Sequence, residues 1–85
     1  MYQIEGTDKV LAQFDLSREI ASECITDLRA WYDIPPGQAL PDETLDEATQ
    51  HAAEYCGHFP FQTGQGRRTL RAAMDFLDHW MREQG

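Results

Sequence analysis

The chain lacks the features that mark several large classes of protein. Its 85 residues include two cysteines, far below the density of a disulfide scaffold. No segment approaches the ~20 apolar residues that cross a bilayer, and no basic segment precedes an apolar run near the N-terminus, as it does in a secretory leader. These absences predict a reduced, cytoplasmic protein without a membrane partner.

Motifs for catalysis and for metal binding are missing as well. The sequence has no Gly-x-Ser-x-Gly elbow, no Cys-x-x-Cys pair and no His-Glu-x-x-His pattern. His51, Cys56 and His58 come nearest to a ligand set, but His51 and Cys56 lie about 140° apart around a helix. We therefore predict no metal site, no cofactor and no enzymatic activity.

Basic residues are absent from the middle of the chain. The net charge is −8, and residues 33–56 supply −6 of it, because they include six carboxylates and no lysine or arginine. Direct binding of nucleic acid is disfavoured, since proteins that bind phosphates are basic. The six carboxylates are Asp33, Asp42, Glu43, Asp46, Glu47 and Glu54.

The N-terminal segment has the pattern of a β-hairpin. Residues 2–5 alternate apolar and polar side chains, Gly6-Thr7-Asp8 is typical of a turn, and residues 10–14 resume an extended apolar pattern. Residues 9–14 also suit an early helical turn. A lone hairpin is marginal in water, so one of its faces is expected to pack on helices.

Three helices are predicted after the hairpin, over residues 16–32, 42–56 and 66–83. Asp15 or Ser17 suits the first N-cap, Pro35-Pro36-Gly37 ends that helix, and Gly57 suits the end of the second. The predicted fold is α+β, a single domain over residues 1–85 with the hairpin packed on a three-helix core (ββααα). The apolar faces contain Ile20, Cys24, Ile25, Leu28, Trp31 and Tyr32; Leu45, Ala48, Ala52, Tyr55 and Cys56; and Leu70, Ala73, Met74, Phe76, Leu77, Trp80 and Met81.

The acidic face of the second helix is the leading candidate site. Asp42 with Asp46, and Glu43 with Glu47, are like-charge pairs at i,i+4, and Glu54 continues the face. Carboxylates at this spacing stand about 6 Å apart along the axis, so they could mimic successive phosphates opposite a basic groove. The alternative is an ordinary solvated face that keeps a small protein soluble.

Two further segments are candidates for interaction. Residues 64–68 place glycines, Arg67 and Arg68 at a helix start, as in an anion site, but ion pairs from Arg67, Arg68 or Arg71 to the acidic helix are favoured, with Asp78 and Arg82 pairing along the third helix. Phe59 and Phe61 flank Pro60; they form either an exposed docking patch or a plug between the second and third helices.

In size, acidity, aromatic content and lack of catalytic motifs, the chain resembles the small phage-encoded inhibitor proteins, above all the anti-CRISPR proteins. Those proteins share no common signature, so no residue is carried over from them. The resemblance implies a protein of the bacterial host cytoplasm that binds a CRISPR effector complex and blocks access of target DNA. Leading contacts would then be Asp42, Glu43, Asp46 and Glu47, with Glu54 and Asp33 beside them.

Two other functions remain open. The chain could be a structural or assembly adaptor, for example a homodimer that buries the third-helix surface around Phe76, Trp80 and Met81. It could also be a regulatory module that binds a small ligand or a host enzyme through Phe59 and Phe61. Only the inhibitor is expected to lose its partner when the carboxylates of the second helix are neutralised.

Overall fold

The computed structural model describes residues 4–55 and 64–84, and all the regular structure in these ranges is helical. The helices are α1 Ile4–Gln13, α2 Arg18–Trp31, α3 Asp42–Glu54 and α4 Gly64–Gln84. Helices α2 to α4 confirm the three predicted helices to within two residues at each described end. Cys56 and Gly57 lie outside the described residues.

The predicted N-terminal hairpin is wrong, and with it the α+β class. Ile4, Thr7 and Leu11 are buried on one side of α1, and their spacing of three and four residues is that of a helix. The alternation that indicated a strand covers too few residues to outweigh that spacing. Gly6-Thr7-Asp8 lies within the helix instead of forming a turn.

Helices α1 and α2 end in the same left-handed turn. Asp15 and Asp33 have φ angles of 59° and 54°, and the residue after each donates a backbone hydrogen bond to a carbonyl five positions earlier, at 3.0 and 2.9 Å. This is the Schellman motif, in which glycine usually takes the left-handed position. Both turns therefore use an aspartate where glycine would be less strained.

Helix α2 begins at one of the two predicted caps. The Ser17 hydroxyl accepts a hydrogen bond from the backbone N–H of Ile20 at 3.2 Å, which satisfies one of the free amides of the first turn. Helix α3 follows Pro41 without a side-chain cap, and Asp42 and Glu43 occupy its first turn. Their negative charges interact favourably with the positive N-terminal end of the helix dipole.

Helix α4 is the centre of the bundle. It packs against α1, α2 and α3, and α2 also packs against α3. Arg18, at the start of α2, places its guanidinium 4.9 Å from the Trp80 ring centroid on α4 and pairs with Asp8 of α1. The largest fully buried apolar side chains are Leu11, Ile25, Leu28, Leu70, Met74 and Leu77.

The buried charge of the bundle joins α2 to α4. Asp78 is 1% exposed and accepts hydrogen bonds from Arg29 at 2.6 Å and from Arg82 at 3.1 Å. The Asp78–Arg82 pair confirms the prediction. Arg29 is largely buried and also donates to the Pro35 carbonyl at 2.7 Å.

Four aromatic residues expected on the buried faces are exposed. Trp31 is rotated about 60° around the helix from the buried Leu28, which places its ring at the edge of the apolar stripe. Sequence periodicity finds such a stripe but does not show where the neighbouring helix stops covering it. The four, with their exposed fractions, are Trp31 76%, Tyr32 47%, Tyr55 63% and Phe76 52%.

Candidate functional site: an acidic face on α2 and α3

The carboxylates of α3 point in two directions. At about 100° per residue, Glu43, Glu47 and Glu54 fall within about 40° of one another, whereas Asp42 and Asp46 lie roughly 100° away. Asp42 and Asp46 reach α4, where both contact Arg71. The acidic surface predicted as one face is therefore two surfaces.

The surface towards α4 is internally compensated. Arg71 donates to Asp46 at 2.5 Å and to Asp42 at 3.3 Å, and the hydrogen bond to Asp46 is the main reason that the pKa of Arg71 is raised. This confirms an ion pair between α4 and the acidic helix. Both carboxylates are well exposed, so the pairs contribute little stability.

Arg67 and Arg68 are exposed at the start of α4. With Arg71 they line a cleft of about 410 Å³ that also contains Asp46 and Glu47. The cleft thus has charges of both signs, which does not favour a simple anion site. Phe59 and Phe61, the other predicted secondary residues, lie outside the described residues.

The surface towards α2 has no such compensation. Glu54 of α3 and Glu23 and Asp27 of α2 all act on the Cys24 thiol, and Glu43 and Glu47 lie on the same side of α3 as Glu54. We call these five residues the α2/α3 acidic face. Within the two described ranges, no lysine, arginine or histidine forms an ion pair with any of them. The charges of Glu23, Asp27, Glu43 and Glu54 are left to solvent or to a binding partner, whereas Glu47 also borders the cleft that contains the α4 arginines.

Cys24 shows that three of these carboxylates converge. Its thiol is 3% exposed, and burial raises its pKa to about 11, with further contributions from the negative charges of Asp27, Glu23 and Glu54. The carboxylates of both helices are therefore close enough to this thiol to act on its pKa. A thiol in this setting stays protonated and is a small apolar core group.

Glu47 has a neutral partner. The Tyr32 hydroxyl donates a hydrogen bond to it at 2.7 Å, and this bond, more than burial or the carboxylate charge, raises the pKa of Tyr32. The contact ties the end of α2 to the middle of α3. It leaves the negative charge of Glu47 in place.

Exposed aromatic surface borders the same carboxylates. Trp31 forms one wall of a depression of about 420 Å³, and Asp27, Leu28, Ala30 and His51 form the rest of it. Tyr55 follows Glu54 directly at the end of α3 and is also exposed. An acidic face with exposed tryptophan and tyrosine has the side chains that are enriched at protein–protein hot spots.

Asp33 lies apart from this face. It borders a different groove, of about 500 Å³, together with Ile34, Pro35, Met81 and Arg82. Sequence reasoning grouped Asp33 with the α3 carboxylates, and it missed Glu23 and Asp27. The available signal was their own like-charge spacing at i,i+4 on α2.

The parts of the chain that the structure describes hold no cluster of three or more His, Cys, Asp or Glu side chains placed as metal ligands. Cys56 and His58, from the set weighed for metal binding, lie outside those parts. Among the helices in residues 4–55 and 64–84, none has the length and apolar character needed to cross a bilayer.

Comparison with known proteins found no matching family model, no similar curated protein and no similar solved structure.

Proposed function

We propose that this protein is a non-enzymatic binding protein whose α2/α3 acidic face docks on the basic surface of another protein. The observation that carries the proposal is that some carboxylates are paired with arginines and others are not. Asp78 is neutralised by two arginines and Asp42 and Asp46 by a third. Glu23, Asp27 and Glu54 all act on the Cys24 thiol, but no described cation forms an ion pair with them.

The positions of these three carboxylates destabilise the helices that carry them. Glu54 lies in the last turn of α3, where a negative charge is unfavourable with the helix dipole. Glu23 and Asp27 form a like-charge pair at i,i+4. A cationic partner surface would relieve this repulsion on binding, and such complementarity speeds encounter and fixes orientation.

The partner we propose is a nucleic-acid-handling protein, and the face would occupy its nucleic-acid groove. The likeness to anti-CRISPR inhibitors makes a CRISPR effector complex the leading example, with target DNA kept from its channel. Rows of carboxylates on two adjacent helices could substitute there for phosphates. The remaining side chains of the described helices lie in the core, form internal ion pairs or face solvent.

The test is a capture experiment with the protein as bait in bacterial lysate, eluted with a salt gradient and identified by mass spectrometry. The bait is compared with two triple variants of equal net charge. The face variant is Glu23→Gln, Asp27→Asn and Glu54→Gln. The control variant is Glu5→Gln, Glu19→Gln and Asp75→Asn.

We expect one basic, nucleic-acid-binding partner on the unchanged protein and on the control variant, released by salt and displaced by double-stranded DNA. The face variant should lose it. Equal capture by the face variant, or capture that survives high salt, would contradict the proposal. Recovery of the bait protein alone, with a dimer in light scattering, would favour the adaptor function instead.

A further inference from the structure

Trp31 and Asp27 supply two of the three groups of an arrangement that the protein completes elsewhere. Between α1, α2 and α4, the Arg18 guanidinium stacks 4.9 Å from the Trp80 ring centroid while it donates two hydrogen bonds, at 3.0 and 2.5 Å, to Asp8. The indole contacts the planar face of the guanidinium, and the carboxylate accepts hydrogen bonds from its N–H edge.

At the α2/α3 acidic face, Trp31 and Asp27 supply the indole and the carboxylate, and the described residues supply no guanidinium. Asp27 and Trp31 are one helical turn apart and border the same depression of about 420 Å³. Trp31 is 76% exposed. No described arginine pairs with Asp27 or stacks on this indole.

The charge around the depression selects the occupant. Glu23 and Glu54 add to the negative potential of Asp27, as their combined effect on the neighbouring Cys24 shows. A neutral apolar side chain would leave these charges without compensation. A lysine would satisfy a carboxylate, but its ammonium group is not planar and cannot both stack on the indole and form a forked hydrogen bond.

We propose that Trp31 and Asp27 receive an arginine side chain of the partner protein, and that this contact anchors the docking of the α2/α3 acidic face. The inference rests on the proposed function and adds a specific requirement: the basic surface of the partner presents an exposed arginine. His51 of α3 lines the same depression.

The inference can be tested before the partner is known. The probe is a blocked tetra-arginine peptide, with tetra-lysine and the uncharged tetra-citrulline as matched peptides. Each is titrated at low ionic strength into the ¹⁵N-labelled full chain. The indole N–H signal of Trp31, assigned by its loss in Trp31→Phe, reports on the anchor, and backbone amides report on the rest of the face.

We expect the arginine peptide to shift the Trp31 indole signal in a saturable, salt-sensitive way. The lysine peptide should bind more weakly by about threefold to tenfold, and the citrulline peptide should leave the signal unchanged. Asp27→Asn should weaken arginine binding by a similar factor, whereas Asp75→Asn, on the exposed side of α4, should not. Circular dichroism checks that each variant is folded.

Two results would overturn the inference and would separate it from the proposed function. If the arginine peptide shifts the amides of Glu23, Asp27 and Glu54 but not the Trp31 indole, the anchor is wrong and the acidic face remains. If citrulline shifts the indole as strongly as arginine, the depression does not select a cation. If no residue of the face responds to any cationic peptide, both proposals fail.

Discussion

The carboxylates on the two sides of α3 differ in whether a described cation pairs with them. Towards α4, Asp42 and Asp46 meet Arg71 across the helix interface. Towards α2, Glu54 acts on the Cys24 thiol together with Glu23 and Asp27, and no described cation forms an ion pair with it. The ion pairs on the α4 side stabilise the bundle weakly, whereas the carboxylates on the α2 side repel one another. The charges on the α4 side therefore support the fold, and those on the α2 side are available for binding.

The largest change in stability is expected at Asp78, the buried carboxylate that is paired with two arginines. Asp78→Asn removes the carboxylate that pairs with Arg29 and Arg82, so Arg29 keeps a buried charge without its counter-ion. We expect a loss of about 3–5 kcal/mol in the free energy of unfolding, measured by urea denaturation. The control Asp75→Asn, exposed on the same helix, should change it by less than about 0.5 kcal/mol. A loss at Asp78 as small as that of the control would mean that the two arginines are not held by this carboxylate.

Glu54→Gln and Asp46→Asn compare the two sides of α3 directly. The first removes a repulsive charge at the negative end of a helix dipole, so it should raise the free energy of unfolding by about 0.3–1 kcal/mol. The second removes a partner of Arg71, so it should lower it by about 0.2–1 kcal/mol. Both are measured by urea denaturation, and the difference should shrink in high salt. Changes of the same sign would remove the distinction between the two sides.

Gly6→Ala tests the helical assignment of α1. A Cβ at this position meets nothing within 4 Å, and alanine is favoured over glycine inside a helix by about 0.5–1 kcal/mol. We expect a gain of that size in thermal or urea unfolding. In a hairpin turn with positive φ the same change would destabilise the protein, so a clear loss would restore the hairpin.

Trp31→Ala should have the smallest effect on folding. The ring is 76% exposed, so the free energy of unfolding should fall by less than about 0.5 kcal/mol. Affinity for the partner should nevertheless drop by about tenfold or more, because a tryptophan anchor at an interface contributes on this scale. A large loss of stability would show instead that Trp31 serves the fold.

Local patterns predicted the helices but not their exposed edges. Ile25 and Leu28 follow helical spacing and are buried, and Ser17 is a local cap, so α2 could be placed from sequence. Trp31 extends the same spacing yet is exposed, because burial depends on where α3 and α4 lie. The prediction for the N-terminal segment failed for a related reason: α1 packs against α4, a tertiary contact that a short alternating pattern does not encode.

The candidate site was predicted in part for the same reason. The α3 carboxylates were visible as a block without basic residues, but the pairing of Arg71 with only one side of that helix is a three-dimensional property. Glu23 and Asp27 join Glu54 only because α2 and α3 pack together. A sequence separation of about thirty residues hides that cluster from any local pattern.

The most direct test is the salt dependence of the affinity for the captured partner, measured for the unchanged protein and for the two triple variants of equal net charge. The account predicts that the face variant binds about tenfold or more weakly and with a flatter dependence on salt, whereas the control variant matches the unchanged protein. Equal affinities and equal slopes for the two variants would show that net charge alone matters, and would contradict a binding role for the α2/α3 acidic face.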